Sequence, residues 1–336
     1  MACAPSPALT DSTKPAVTAP PPCSSLTGNV SYIERKHCLV AVRGLQDTWI
    51  RRSSTDLRVH QHATHEYGTF LHAIPDIQGI RTVLDAGANG GYSTAIFAQQ
   101  LPRVVNVLAV EPDAGNHAML VLNTKRYPAV TPVRAAVWGR DEPMRVGDGS
   151  RKIRTSNRQW AFVTVPRHSN GGPGTPTSSV DGLSIATILQ SACLPAFDLV
   201  KLDTEGSEWR TLRGPTAWLK DTRYIYLEAH DDADANHNSE RAGLLVLHQR
   251  GFSVLAVFPS GFRYDRVYLG CNTRFLSPAA CEGLCVTWKN DTHRRICRAF
   301  NHTAARRGKS KFIAAGPKLP PLHRPRAAKA LGSARR

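Results

Sequence analysis

The stretch Val83-Leu84-Asp85-Ala86-Gly87-Ala88-Asn89-Gly90-Gly91 constrains this chain more than any other. Two apolar residues run into an acid and a glycine-rich turn, the pattern of a buried parallel strand breaking into a nucleotide-binding loop. A second apolar run, Val107 to Val110, ends in Glu111. That sets a carboxylate roughly 20 residues after the turn, which suits a ribose-binding acid on the neighbouring strand. A dinucleotide fingerprint beginning at Gly87 needs glycine at positions 89 and 92, where the chain has Asn89 and Tyr92. A nicotinamide oxidoreductase is thereby disfavoured.

Gly87, Gly90 and Gly91 are similar instead to the acid-x-G-x-G/N-x-G turn of S-adenosylmethionine-dependent methyltransferases, whose ligand has no pyrophosphate. Farther on come Glu111-Pro112-Asp113, Asn123 and Lys201-Leu202-Asp203-Thr204-Glu205-Gly206-Ser207-Glu208. With these motifs the chain resembles the FkbM-type methyltransferase family over residues 80–258. The resemblance implies methyl transfer from S-adenosylmethionine, usually to a hydroxyl oxygen. Family members act on varied acceptors, sugars and polyketides among them, so a small-molecule or glycan acceptor is expected.

Alternating strand and helix patterns predict an α/β fold, a Rossmann-like doubly wound, mostly parallel seven-stranded sheet. Strands are expected at Arg81–Asp85, Val104–Glu111, Thr131–Val137, Phe197–Asp203, Arg223–Glu228, Ser253–Phe258 and Arg263–Leu269. Helices are expected at Tyr92–Gln100, Ala114–Arg126, around Ile185–Ala192, up to Gly214-Pro215, and at Glu240–Arg250. The chain divides into a Pro/Ala-rich disordered leader (1–28), an N-terminal extension packing on the core (29–78), the catalytic domain (79–275) and a Cys-containing segment with a basic disordered tail (276–336). Within the domain, residues 140–180 are rich in Gly and Pro and read as an insertion. It is either an acceptor-binding lid or a surface excursion, with a short strand at Ala161–Val165.

The net charge of +17 lies mostly in the tail, where residues 286–336 carry fourteen Lys and Arg against the single acid Asp291. Arg294, Arg295, Arg306, Arg307, Lys309 and Lys311 could contact phosphates, which keeps a nucleic-acid-binding protein or RNA-directed enzyme as the alternative. Aromatic residues for base stacking are sparse there, which favours a solvated tail. No apolar run is long enough for a transmembrane helix, and the first residues lack a signal-peptide core. The compartment is left open, cytoplasmic by default, with an organelle or secretory lumen as alternatives. Free thiols are one reading of the cysteines, and disulfides are the rival. Cys281-x-x-x-Cys285 lacks a second ligand pair for zinc. His60, His62, His65 and His72 read mostly as surface residues.

The resemblance and the strand ends together nominate the site. Cofactor-binding candidates are Asp85, which would orient the loop, Gly87 and Gly91 for close backbone approach, Asn89, Glu111 for both ribose hydroxyls, and Asp113 near the adenine. Asp113 serves equally well as a helix cap. Catalytic candidates are Asp203 and Glu205 facing the transferred methyl, Lys201 pairing with one of them, and His230 as general base. Glu208 reads as a first-turn acid favoured by the helix dipole. Asp203, Glu228 and Asp231 could also hold a divalent cation such as magnesium, although the motif does not demand a metal.

Overall fold

Pairing begins ahead of the glycine turn, where β1 (Leu39–Ala41) and β2 (Trp49–Arg51) form a small antiparallel unit. The computed structural model describes residues 19, 21–22, 24, 38–41, 48–147, 162–168, 176–230, 239–259, 266–277 and 280–281. The basic tail and Asp231 lie outside them. Next comes helix α1 (Asp56–His72), to which sequence patterning assigns no element. Its buried residues Ala63, Tyr67, Phe70 and Leu71 recur at i, i+4, i+7 and i+8, one apolar helix face.

The chain then alternates through β3 (Thr82–Ala86), α2 (Tyr92–Gln100), β4 (Asn106–Val110), α3 (Ala114–Thr124) and β5 (Val130–Val133). The strand expected over Thr131–Val137 is in fact two. The chain leaves the main sheet after Val133, and β6 (Ala136–Val137) pairs parallel to residues 182–183 instead. The expected insertion forms a second sheet. β7 (Glu142–Gly147), β8 (Val163–Pro166) and β9 (Pro176–Leu183) join β6 in the order β6-β9-β7-β8, around Trp138, Met144, Val146 and Val180.

Regularity returns with α4 (Ile185–Ser191), whose N-cap Ser184 accepts from Thr187 N–H, and with β10 (Leu199–Leu202). Then follow α5 (Glu208–Arg213), β11 (Tyr224–Ala229), α6 (Ser239–Gln249), β12 (Phe252–Pro259) and β13 (Arg266–Asn272). The seven-stranded sheet has the order β12-β13-β11-β10-β3-β4-β5. Only β13 runs antiparallel to its neighbours. Central strands are covered on both faces, which is why Val83, Leu84, Leu199 and Val200 form near-continuous apolar runs at 0% exposure. One face packs on α4 and α6. The other packs on α1 and α2, with Phe70 edge-on to Tyr226 at 5.1 Å.

Cys271 on β13 is bridged to Cys281, and Cys38 and Cys193 are disulfide-bonded too. The free-thiol expectation therefore fails at these four positions. None of the described helices is long and apolar enough to cross a membrane.

Candidate functional site

A cleft opens at the carboxyl ends of β3, β4, β10 and β11, where an open α/β sheet binds its ligands. At one end the chain leaves β3 through a turn that needs left-handed backbone at Gly87 (φ +80°), Asn89 (+51°) and Gly91 (+84°). Asn89 suits such a position because its short polar side chain tolerates it; here its Oδ1 accepts from Gly90 N–H at 2.7 Å. At Gly87 even a methyl group is excluded, since a Cβ there would lie 1.8 Å from the Asp203 carbonyl oxygen. Glu111 closes the turn from β4. Its two oxygens accept Asn89 N–H and Asp113 N–H, both at 2.9 Å. Burial pushes the Glu111 carboxyl up to about 8, although both N–H groups favour its charge.

Gly87, Asn89, Glu111 and Asn116 line the cleft, whereas Asp85, Gly91 and Asp113 stand behind it. Asp113 Oδ1 accepts Gly115 and Asn116 N–H at 2.9 Å each, so its carboxylate caps α3. Gly91 is the N-cap of α2. Asp85, fully buried, accepts from Ser93 and Thr94 hydroxyls at 2.7 Å each and pairs with Lys201 at 3.0 Å. These three residues shape the turn from outside the cleft.

Lys201, 1% exposed, joins the two ends of the site. Its ammonium lies 3.0 Å from Asp85 and 3.2 Å from Asp203, and donates to the Gly87 carbonyl at 2.8 Å. Burial disfavours its charge, but the Asp85 and Asp203 carboxylates outweigh burial and raise it above the ordinary lysine value. Lys201 thus stays charged and fastens the loops. Burial would raise Asp203 too, but Lys201 and then His230 overcome it and hold the carboxyl below the usual range.

Beyond Asp203 the chain turns sharply, and Glu205 takes a left-handed φ of +53°. Glu208 folds back over that turn and accepts Thr204 N–H at 2.7 Å and Gly206 N–H at 3.1 Å. It also sits 3.0 Å from His230 Nδ1. Glu208 is the first-turn acid of α5 expected from the sequence, and at 1% exposure it also orients the histidine. His230 Nε2 faces Glu205 at 3.7 Å and Asp203 at 4.0 Å. Burial opposes its charge, but Glu208 and Glu205 prevail and push the imidazole well above its ordinary value. The general-base expectation for His230 rests on an unperturbed pKa, and its carboxylate neighbours favour the charged imidazole instead. Glu228, 5% exposed, completes the cluster, and burial pushes its carboxyl well above the usual range, with Asp203 adding to the effect.

Helix α1 roofs this end of the cleft with residues to which the sequence assigns no role in the site, His62 being read there as a surface residue. Tyr67 donates its hydroxyl toward Asp203 Oδ2 at 3.4 Å, and its ring centroid lies 5.7 Å from the Lys201 ammonium. His62 and Glu66 pair at 2.9 Å, and Glu66 also accepts from Tyr226. His60 is buried against Tyr92 rather than exposed. The apolar spacing of α1 was the one signal that could have found the roof.

A Methyltransferase FkbM domain model matches residues 85–254 of the chain. A hexuronic acid methyltransferase from Haloferax volcanii is 26% identical over 153 residues, covering 45% of this chain and 56% of that protein. The chain thus spans just over half the length of that relative. Among solved structures, the methyltransferase FkbM from Methylobacillus flagellatus is 18% identical with a TM-score of 0.39, over 57% of this chain and 43% of that one. The O-methyltransferase from Bacillus cereus in complex with SAH is 16% identical with a TM-score of 0.39, over 64% of this chain and 88% of that one.

Proposed function

The chain belongs to the FkbM methyltransferase family, and on that premise we propose an S-adenosylmethionine-dependent O-methyltransferase acting on a hydroxyl of a glycan or sugar-like small molecule. The observation that carries the reading is one cleft with two chemically different ends: Glu111 and the Gly87–Asn89 turn at one, and Asp203, Glu205, Glu228 and His230 at the other. Each Glu111 oxygen accepts one backbone N–H and keeps a lone pair for a ribose hydroxyl. The glycine turn leaves room for the methionyl tail. The many acceptors at the far end suit a polyhydroxylated molecule. A sugar acceptor is also in keeping with the printed name of the Haloferax volcanii relative.

Methyl transfer is an in-line displacement: the acceptor O–CH3 bond forms as the sulfonium S–CH3 bond breaks, leaving S-adenosylhomocysteine. Holding the three atoms in line can supply up to about 7–11 kcal/mol of the barrier. The hydroxyl proton passes to Glu205. Side-chain exposure of 24% lets Glu205 release that proton to water. Its left-handed backbone costs about 1–3 kcal/mol, strain of the kind that collects at functional sites. Asp203, Lys201 and His230 position the acceptor and hold the loop. The test is transfer of labelled methyl from S-adenosylmethionine to a panel of hydroxylated glycans. Glu205→Gln should lose roughly 100-fold or more in turnover at unchanged cofactor affinity. Label found on RNA or on an amine, with the glycans untouched, would overturn the acceptor class.

A further inference from the structure

We propose that Asp203, Glu228 and His230 form a binding site for one divalent first-row transition cation at the acceptor end of the cleft. This deepens the reading above for the same cleft. One ligand atom from each residue lies within 4.8 Å of the other two. A cation with ligands at about 2.1 Å places any two of them no more than about 4.2 Å apart, so a small inward adjustment of side chains closes the site.

Two further observations point to a ligand. The first is Glu228. It lines the cleft, is 5% exposed, and its carboxylate has no hydrogen-bond or ion-pair partner among the described residues. Buried carboxylates are ordinarily paired or coordinate a metal. The second is the orientation of His230. Glu208 holds Nδ1 at 3.0 Å, which turns Nε2 toward Asp203 and Glu205. A ligating imidazole typically gives its other nitrogen to a carboxylate in this way. Glu208 is itself fixed by Thr204 and Gly206 N–H groups, so the ring is aimed before any ion arrives.

The donor set selects the ion. Two carboxylates with an imidazole suit manganese, iron or zinc, whereas all-oxygen sets suit magnesium and calcium. Three protein ligands leave positions open toward the cleft, where an acceptor hydroxyl would bind and become more acidic. Glu205, beside His230 Nε2, is then placed to take that proton.

The experiment uses the full chain stripped of metal, with Mn2+ as the probe. Electron paramagnetic resonance follows free Mn2+, and a separate thermal shift follows S-adenosylhomocysteine binding. The wild-type chain should bind one Mn2+, with line broadening of the His230 ring resonances. Glu228→Gln should weaken Mn2+ at least tenfold, and Glu208→Gln by roughly 10- to 100-fold because it holds Nδ1 of the His230 ring. Both variants should keep the S-adenosylhomocysteine shift, which also reports that they fold. If Glu228→Gln fails to fold, the ring broadening and Glu208→Gln carry the test. Absence of stoichiometric Mn2+ binding, unchanged binding in both variants, or Mg2+ competing at equal concentration overturns the site. Mn2+ binding without an S-adenosylhomocysteine shift would sink the cofactor reading and leave the cation site standing; the reverse result would sink the cation site alone.

Discussion

His230 Nδ1 lies 3.0 Å from Glu208 Oε1, a contact that joins the end of β11 to the start of α5. Because Glu205 adds a second carboxylate beside Nε2, the imidazole holds its proton above its ordinary pKa. A histidine raised in the folded state lends stability that is complete below its unfolded pKa, about 6.5, and is lost as pH rises through the folded value. Glu208→Gln should therefore lower the His230 pKa in an NMR titration of its ring protons. The variant should also flatten the fall in urea midpoint as pH rises above about 6.5. An unchanged ring titration would remove Glu208 as the cause.

Glu111 gives the opposite type of pH dependence for ligand binding. Its carboxyl is raised to about 8 in the unliganded fold, so it opposes folding increasingly as pH climbs from its unfolded value toward 8. Ribose hydroxyls would donate to the anion, so affinity for S-adenosylhomocysteine should rise with pH and level off above about 8. Calorimetry across that range should show proton release on binding. Glu111→Gln should bind weakly with a flat profile; a wild-type profile that falls with pH contradicts the ribose role.

Gly87→Ala tests the turn. The added methyl would meet the Asp203 carbonyl at 1.8 Å, and the backbone is left-handed at φ +80°. Backbone strain alone costs about 1–3 kcal/mol, and moving the β10 loop adds to it. A drop in chemical stability beyond about 2 kcal/mol is expected, with loss of cofactor binding. Retention of both would mean that the turn and the β10 loop are not in contact.

Phe70→Ala tests whether α1 belongs to the core. Phe70 is 0% exposed and meets Tyr226 edge-on at 5.1 Å. The substitution should cost about 3–5 kcal/mol in urea unfolding, as for other fully buried Phe positions. A loss under 1 kcal/mol would make α1 a peripheral addition.

What the sequence discloses follows the range of the forces involved. The strands around Val83, Val107 and Val200 are legible because full burial on both faces demands unbroken apolar runs, and the glycine turn is legible because positive φ selects residue type. The partition at Val133 was hidden, since residues 136–137 choose a partner near residue 182 that no local pattern encodes. Asp113 was ambiguous between a ligand contact and a cap for the same reason: either use needs the same side chain after the same strand. The charge preference of His230 is not legible in the sequence because it depends on Glu205 and Glu208, neither of them its chain neighbour. Helix α1 carried a readable apolar face, and only its four histidines drew attention away from it.

The approach of Gly87 to the Asp203 carbonyl has a mechanical consequence. Backbone meets backbone there with no side chain between, and Lys201 clamps the same junction. The two halves of the floor thus meet backbone to backbone, which disfavours a hinge at their junction. Room for a bulky acceptor would instead have to come from the other residues that line the cleft, among them Phe162 and Thr164 at the second sheet and Arg58 and His62 of α1.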